Sequence, residues 1–265
     1  VNRTTLALLL VLTVVWCAIS ASGQTPTIDQ SLSLNSAAGP RISPDGRYVA
    51  YTVQEANWEE NAFETEIWIA IVATAERYQL TNAKKSSSGP QWSPDSKRLA
   101  FVSDRDGKRQ IYLIAPAGGE AIQLTSIETG VNAFDWSHDG RRIAFTAAEP
   151  ESKSSKERKE KYGEFEVVKS DYTYTHLWTI DVPAEIKQKK PEPVRLTGGS
   201  GFSVGGFEWS PDSSRIAFSA AVNPDISSSD TADIYVVNVA DQNVRKIVAA
   251  QGPDTNPVWS PDGRE

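Results

Sequence analysis

Leu99, Ala100 and Phe101 begin a run in which bulky apolar side chains alternate with alanine, and the same spacing returns at Ile143–Ala144–Phe145 and Ile216–Ala217–Phe218. Successive side chains of an extended chain point to opposite faces, so each run predicts a β-strand with one bulky face and one tight face. A second run follows in each case: EIWIAI from Glu66, QIYLIA from Gln110, HLWTID from His176 and DIYVVN from Asp233. These are apolar on both faces, as expected of strands covered on both sides. QLT at Gln79 and Gln123 and RLT at Arg195 close three of the units, and RKIV from Arg245 closes the fourth. Each reads as a last, outer strand.

The polar positions between strands repeat as well. WSPDSKRLAF from Trp92 returns as WSHDGRRIAF from Trp136 and WSPDSSRIAF from Trp209, and in part as ISPDGRYVAY from Ile42 and WSPDGRE from Trp259. Between the motif serines (Ser43, Ser93, Ser137, Ser210, Ser260) the spacings are 50, 44, 73 and 50. Repeats of about 40 to 50 residues indicate stacked or radial architectures. Pro fixes φ, Asp bonds its own backbone and Gly accepts positive φ, so the tetrapeptide is a tight turn. Ser96 and Ser213 replace the Gly, and His138 replaces the Pro. A turn that tolerates such changes reads as structure rather than chemistry.

Adding the strand that leads into the turn gives four antiparallel strands per repeat, the blade of a β-propeller. A parallel β-solenoid is the competing repeat fold, but its coils are shorter and lack hairpin turns. The fold class expected is therefore all-β: a propeller of four-stranded blades, incomplete in this chain. The blades fall at about 39–81, 89–125, 131–197 and 205–249, with a fifth beginning near 256. Phe101, Phe145 and Phe218 occupy equivalent positions and are expected between blades.

Composition narrows the function classes. The chain has 265 residues, 39% hydrophobic and 23% charged, ordinary for globular material. A net charge of -7 argues against nucleic-acid partners, which require clustered Lys and Arg. Arg3, the apolar run Leu6–Ile19 and the small-residue exit Ser20–Gln24 read as an export signal, residues 1–23, cut after Gly23. The run is shorter than the roughly 20 residues of a membrane-spanning helix, so no stable span is expected after cleavage. Cys17 lies inside it, which leaves the mature chain, 24–265, without disulfides. A periplasmic or secreted location is expected.

The order SPDG, IAF, IY or LW, then LT resembles the propeller repeats of TolB-type periplasmic proteins and of the prolyl oligopeptidase family of serine peptidases. Within that family it is most similar to the acylaminoacyl peptidase and dipeptidyl aminopeptidase branches. The resemblance covers Leu32 to Glu265, and the charged insert Glu149–Asp171, THLWTIDV and WEENAFETEIW from Trp58 lean toward the peptidases. It implies a propeller that filters peptide substrates for a C-terminal α/β-hydrolase domain carrying Ser, Asp and His. That domain would follow this chain, making the chain a fragment or a truncated reading frame. The alternatives are a TolB-type protein-binding propeller without catalysis, or a propeller enzyme or lectin with a site in its channel.

Candidate chemistry within the chain has bland explanations. GFSVG (Gly201–Gly205) matches the G-x-S-x-G nucleophile motif, which demands a strand before the Ser and a helix after it; here a blade ends before it and another begins after it. Ser203 is therefore expected in an inter-blade connection. His138 fills a turn position held elsewhere by Pro, and His176 a strand-start position held by Glu66, Gln110 and Asp233. No triad is expected, and two His, with no Cys in the mature chain and no HExxH, predict no zinc. SDRDGK (Ser103–Lys108) lacks the later ligands of a calcium loop and reads as a hairpin turn. Glu55, Glu59, Glu60, Glu64 and Glu66 invite comparison with the Glu pair by which some dipeptidyl peptidases hold a substrate amine; a solvated loop between strands is the plainer reading. The insert Glu151–Glu166 reads as a solvated, mobile excursion, or a segment overhanging a substrate entrance. Catalytic, cofactor and metal residues are expected to be absent.

Overall fold

The computed structural model describes residues 25–164, 171–183 and 191–265. The segment read as an export signal, residues 1–23, lies outside them. The described chain forms four four-stranded antiparallel sheets, each with its strands in sequence order. Blade 1 contains β1 (Ser36–Ile42), β2 (Tyr48–Asn57), β3 (Ala62–Ile71) and β4 (Arg77–Gln79). Blade 2 contains β5 (Ser87–Trp92), β6 (Leu99–Ser103), β7 (Gln110–Ile114) and β8 (Ile122–Gln123). Blade 3 contains β9 (Ala133–Trp136), β10 (Arg142–Ala148), β11 (Thr175–Asp181) and β12 (Val194–Arg195). Blade 4 contains β13 (Ser203–Trp209), β14 (Arg215–Ala221), β15 (Asp233–Asn238) and β16 (Val244–Val248). Among the described residues, two short α-helices, α1 (Ile28–Leu32) and α2 (Lys153–Tyr162), and a 3-10 turn at Ile226–Thr231 lie outside the sheets. The first strands β1, β5, β9 and β13 touch in succession, the arrangement of inner strands around a propeller axis.

The core is divided among the interfaces between blades. Phe101 packs with Ala50, Ile67 and Ile69 of blade 1, Phe145 with Ala100, Ile111 and Leu113 of blade 2, and Phe218 with Ala144 and Leu177 of blade 3. All three phenylalanines are fully buried. The bulky face of each blade thus enters the tight face of the one before it, and alanine leaves the depth an aromatic ring needs. Each Phe stacks on the third-strand aromatic of its own blade, at 5.7 Å for Phe101–Tyr112, 6.3 Å for Phe145–Trp178 and 5.4 Å for Phe218–Tyr235.

The repeated turn is a closed hydrogen-bond unit in all five copies. In the blade 4 copy, the Ser210 hydroxyl donates to Asp212 Oδ1 at 2.6 Å and accepts the Arg215 amide at 2.9 Å, while Asp212 accepts the Ser214 amide at 3.0 Å. Ser43, Ser93, Ser137 and Ser260 donate to their own Asp in the same way. These bonds hold the carboxylates well below their usual range: the Ser43 hydroxyl brings Asp45 to about 2, and the Ser210 hydroxyl brings Asp212 to about 2. For Asp95 and Asp139 burial pushes upward, and the serine hydroxyl and a backbone amide together outweigh it.

Ser96 and Ser213, at the glycine position, adopt φ of 60° and 59°. That conformation is costly for a residue with a Cβ. Each hydroxyl reaches the preceding blade, accepting the Asp45 amide at 3.0 Å and the Asp139 amide at 3.1 Å. In the alternate copies a true glycine faces a proline instead, and a Cβ on Gly140 would meet Pro94 Cδ at 3.4 Å. What reads in sequence as tolerance is a change of contact between neighbouring turns.

Tryptophan supplies a second link. The indole of Trp92 donates to the Arg41 carbonyl at 2.9 Å, Trp136 to Gln91 at 3.2 Å, Trp209 to Asp135 at 3.3 Å and Trp259 to Glu208 at 3.2 Å. In each case the acceptor precedes the equivalent position of the earlier blade. Each indole therefore fastens its own blade to the inner strand of the one before.

Candidate functional site

Ser203 is the first residue of β13, paired opposite Ala221, rather than part of a connection between blades. The chain stays extended after it, and a register shift between Val204 and Phe207 absorbs the two glycines as a bulge. This is not the strand–turn–helix that a nucleophile elbow requires. The Ser203 hydroxyl accepts the Thr175 amide at 3.1 Å and so ties blade 4 to the start of β11.

Neither histidine ring faces Ser203 through a hydrogen bond. His138 is exposed on its turn, with Nε2 3.4 Å from the Trp209 carbonyl. His176 is fully buried. Its Nδ1 lies 3.3 Å from the Thr197 hydroxyl, and its Nε2 lies 3.4 Å from Glu149 Oε1 without a well-formed hydrogen bond. Arg195 pairs with the same Glu149 oxygen. The equivalents of His176 do related work: Glu66 accepts the Thr81 hydroxyl, and Gln110 accepts the Thr125 hydroxyl at 2.8 Å. In blade 4 the equivalent Asp233 pairs with Lys246 at 2.6 Å. The shared column of His176, Glu66, Gln110 and Asp233 was visible in the sequence. The contribution of Glu149 was not, because it lies 46 residues from Arg195.

The Ser103–Lys108 segment is the β6–β7 hairpin turn, closed by the Gly107 amide on the Asp104 carbonyl at 2.8 Å. Asp106 accepts the Tyr112 hydroxyl at 2.6 Å, and the Arg105 guanidinium sits 4.7 Å from the Tyr112 ring centroid. Burial, then the Asp106 bond, push the Tyr112 phenol above its usual range. Among the described residues, no group of three or more His, Cys, Asp or Glu side chains is placed to hold a metal ion.

The glutamates lie on an outgrowth of blade 1. The β2–β3 ladder runs on from Tyr51↔Trp68 to Asn57↔Ala62, so that Glu55 faces Glu64 and Val53 faces Glu66. Glu55, Glu59, Glu64 and Glu66 border a cavity of about 550 Å³ that also meets Trp58 and Trp68. The segment is therefore mostly regular strand, with Asn35 donating to Glu55 at 2.6 Å and Asn57 to Glu64 at 2.8 Å.

The charged insert also departs from expectation. In place of a mobile excursion, Lys153–Tyr162 forms α2, capped by the Ser152 side chain on the Ser155 amide. Lys, Arg and Glu are good helix formers even without an apolar face. Lys159 pairs with Glu151 at 2.9 Å, Arg158 pairs with Asp171, and Ser155 is buried. Residues 165 and 166 lie outside the described residues. No helix among the described residues is long and apolar enough to cross a membrane.

Residues 22–168, more than half of the chain, match the TolB beta propeller domain. The chain belongs to this family. Among relatives of this TolB-type propeller, Dipeptidyl-peptidase 5 of Porphyromonas gingivalis is 27% identical over 92% of the chain and 38% of its own length. An uncharacterized peptidase of Bacillus subtilis, YuxL, is 36% identical over 90 residues, which is 34% of this chain and 14% of that protein. Among solved structures, the acylaminoacyl peptidase of Pyrococcus horikoshii superimposes with a TM-score of 0.59 at 22% identity, covering 83% of this chain and 33% of that one. The likeness is one of fold. The chain spans well under half the length of these curated relatives.

Proposed function

We propose that this TolB-type propeller is the non-catalytic part of an exported serine peptidase of the prolyl oligopeptidase type. In this reading it gates and positions peptide substrates for a C-terminal α/β-hydrolase domain. The observation that carries it is the match to Dipeptidyl-peptidase 5, which runs along 92% of the chain at 27% identity. The geometry agrees: Ser203 serves as an amide acceptor, and each histidine is engaged with its own blade or the next one. Export rests on the N-terminal pattern of Arg3 and Leu6–Ile19.

The test is labelling of the natural gene product with a serine-directed fluorophosphonate, followed by mapping of the modified peptide. The expected label falls on a serine outside residues 1–265, with proteolysis of peptide substrates by the labelled protein. Labelling of Ser203, abolished by Ser203→Ala, would overturn the assignment. A TolB-like protein-binding propeller is the second reading, supported by 37% identity over 68 residues to the Tol-Pal system protein TolB of Alcanivorax borkumensis. A gene product that takes no label and retains a protein partner would favour it.

A further inference from the structure

Three blades close with the same clasp, and one of them is built from a titratable ring. In blade 2, the Thr125 hydroxyl accepts the Ile111 amide at 2.9 Å and donates to Gln110 Oε1 at 2.8 Å. Gln110 also accepts the Ile127 amide at 2.9 Å. Blade 1 repeats this with Thr81, the Ile67 amide and Glu66. In blade 3, Thr197 accepts the Leu177 amide at 2.9 Å, so by the same pattern its proton is directed at His176 Nδ1, 3.3 Å away. That bond requires Nδ1 without a proton, which puts the ring proton of neutral His176 on Nε2, toward Glu149.

We propose that His176 is an acid-sensitive pin: its neutral ring fixes Leu196–Gly199 to β11 through the Thr197 hydroxyl, and ring protonation in mildly acidic solution frees that segment. Once Nδ1 carries a proton the hydroxyl has no acceptor there; it can only turn and accept from the ring through its second lone pair, which leaves its own proton without a partner in a buried site. The segment matters because Leu196, 4% exposed, packs with Trp209 and Phe218 in the interface between blades 3 and 4. Releasing it loosens that interface and leaves the two earlier ones closed.

The charged groups facing the ring are Glu149, from the end of β10, and Arg195, from β12. Burial lowers the affinity of the ring for a proton and Arg195 lowers it further, while Glu149 and the Gly199 backbone act the other way and are outweighed. The sign follows. A ring whose folded pKa lies below its unfolded value contributes fully above the unfolded value of about 6.5. That contribution is lost as pH falls from there toward the folded value.

The test is amide hydrogen exchange on the chain at about pH 7.5 and about pH 5.5, corrected for intrinsic rates, two conditions that straddle the unfolded histidine pKa. Protection of the Leu177 and Leu196 amides should fall several-fold on acidification, up to about the tenfold that proton uptake by an opened ring of ordinary affinity allows over this pH range. Protection of the Ile111 and Leu124 amides should not change. His176→Gln, which installs the group that blade 2 uses, should keep the blade 3 amides protected at both values. An equal acid loss in blades 2 and 3, or an undiminished loss in His176→Gln, overturns the proposal. NMR titration of the unmodified ring decides independently of whether that variant folds. A proton on Nδ1 at neutral pH, or a titration at or above the ordinary histidine value, overturns it; an Nε2–H tautomer titrating below that value supports it.

Discussion

Ile111 and Ile234 occupy the same place in blades 2 and 4, yet one is sealed and the other borders open space. Ile111 is fully buried because Phe145 and the rest of the bulky face of blade 3 cover it. Ile234 is half-buried and lines a cavity of about 520 Å³ with Ala217, Val236, Val258 and Trp259. Their own strands differ little: QIYLI against DIYVVN, both paired to an alanine-bearing second strand. Dryness at the tight face is therefore supplied by the following blade. A blade is half of two cores, and neither half is stable apolar surface by itself.

The largest test of that contrast removes the covering ring. Phe145→Ala should lower stability by about 3 to 5 kcal/mol, since a fully enclosed aromatic leaves a cavity between two rigid sheets. Urea unfolding followed by tryptophan fluorescence would measure it, and a loss under about 1 kcal/mol would contradict the packing described. The paired substitutions Ile111→Ala and Ile234→Ala sharpen it. In residues 1–265 taken alone, the first should cost about 2 to 5 kcal/mol and the second under about 1.5 kcal/mol, because water and nearby side chains can occupy the open site. Equal costs would mean that the faces are equally covered in solution.

The turns provide a smaller effect. Ser210→Ala deprives the Arg215 amide of its acceptor and Asp212 of its donor, a loss of about 1 to 3 kcal/mol. It should also change the acid response. Asp212 has a folded pKa of about 2, so its contribution is fully present above the unfolded value and is lost as pH falls through the folded one. The native chain should lose stability between about pH 4 and about pH 2. Ser210→Ala should show a shallower decline, read from urea midpoints across that window. His138→Pro should have the least effect, within about 0.5 kcal/mol, because Pro94 and Pro211 hold the equivalent position.

The strand pattern and the turn were legible because a repeat presents the same physical constraint several times. Leu99, Ala100 and Phe101 announce two faces, and their equivalents announce them again. The links between blades were harder to read. An indole that donates to a backbone carbonyl leaves no trace in the acceptor's identity, and Arg41, Gln91, Asp135 and Glu208 share none. Ser96 and Ser213 looked like imperfect glycines because the amides they reach belong to the previous turn. Helix α2 was hidden by its polarity: what secures it is Arg158 on Asp171 and Lys159 on Glu151, not an apolar stripe. At the Ser203 motif, the flanking blades already argued against a nucleophile but placed the serine in a connection, and only the extended course of β13 gives the hydroxyl its place on the Thr175 amide.

The indole links all run one way, each from a later blade to the strand before it. The assembly consequently has a polarity matching the order in which a ribosome releases it. A newly emerged blade brings its own donor and its own aromatic wedge to a neighbour already waiting with carbonyl and alanine, so growth can proceed by successive docking of local partners, with little need for the distant end of the chain.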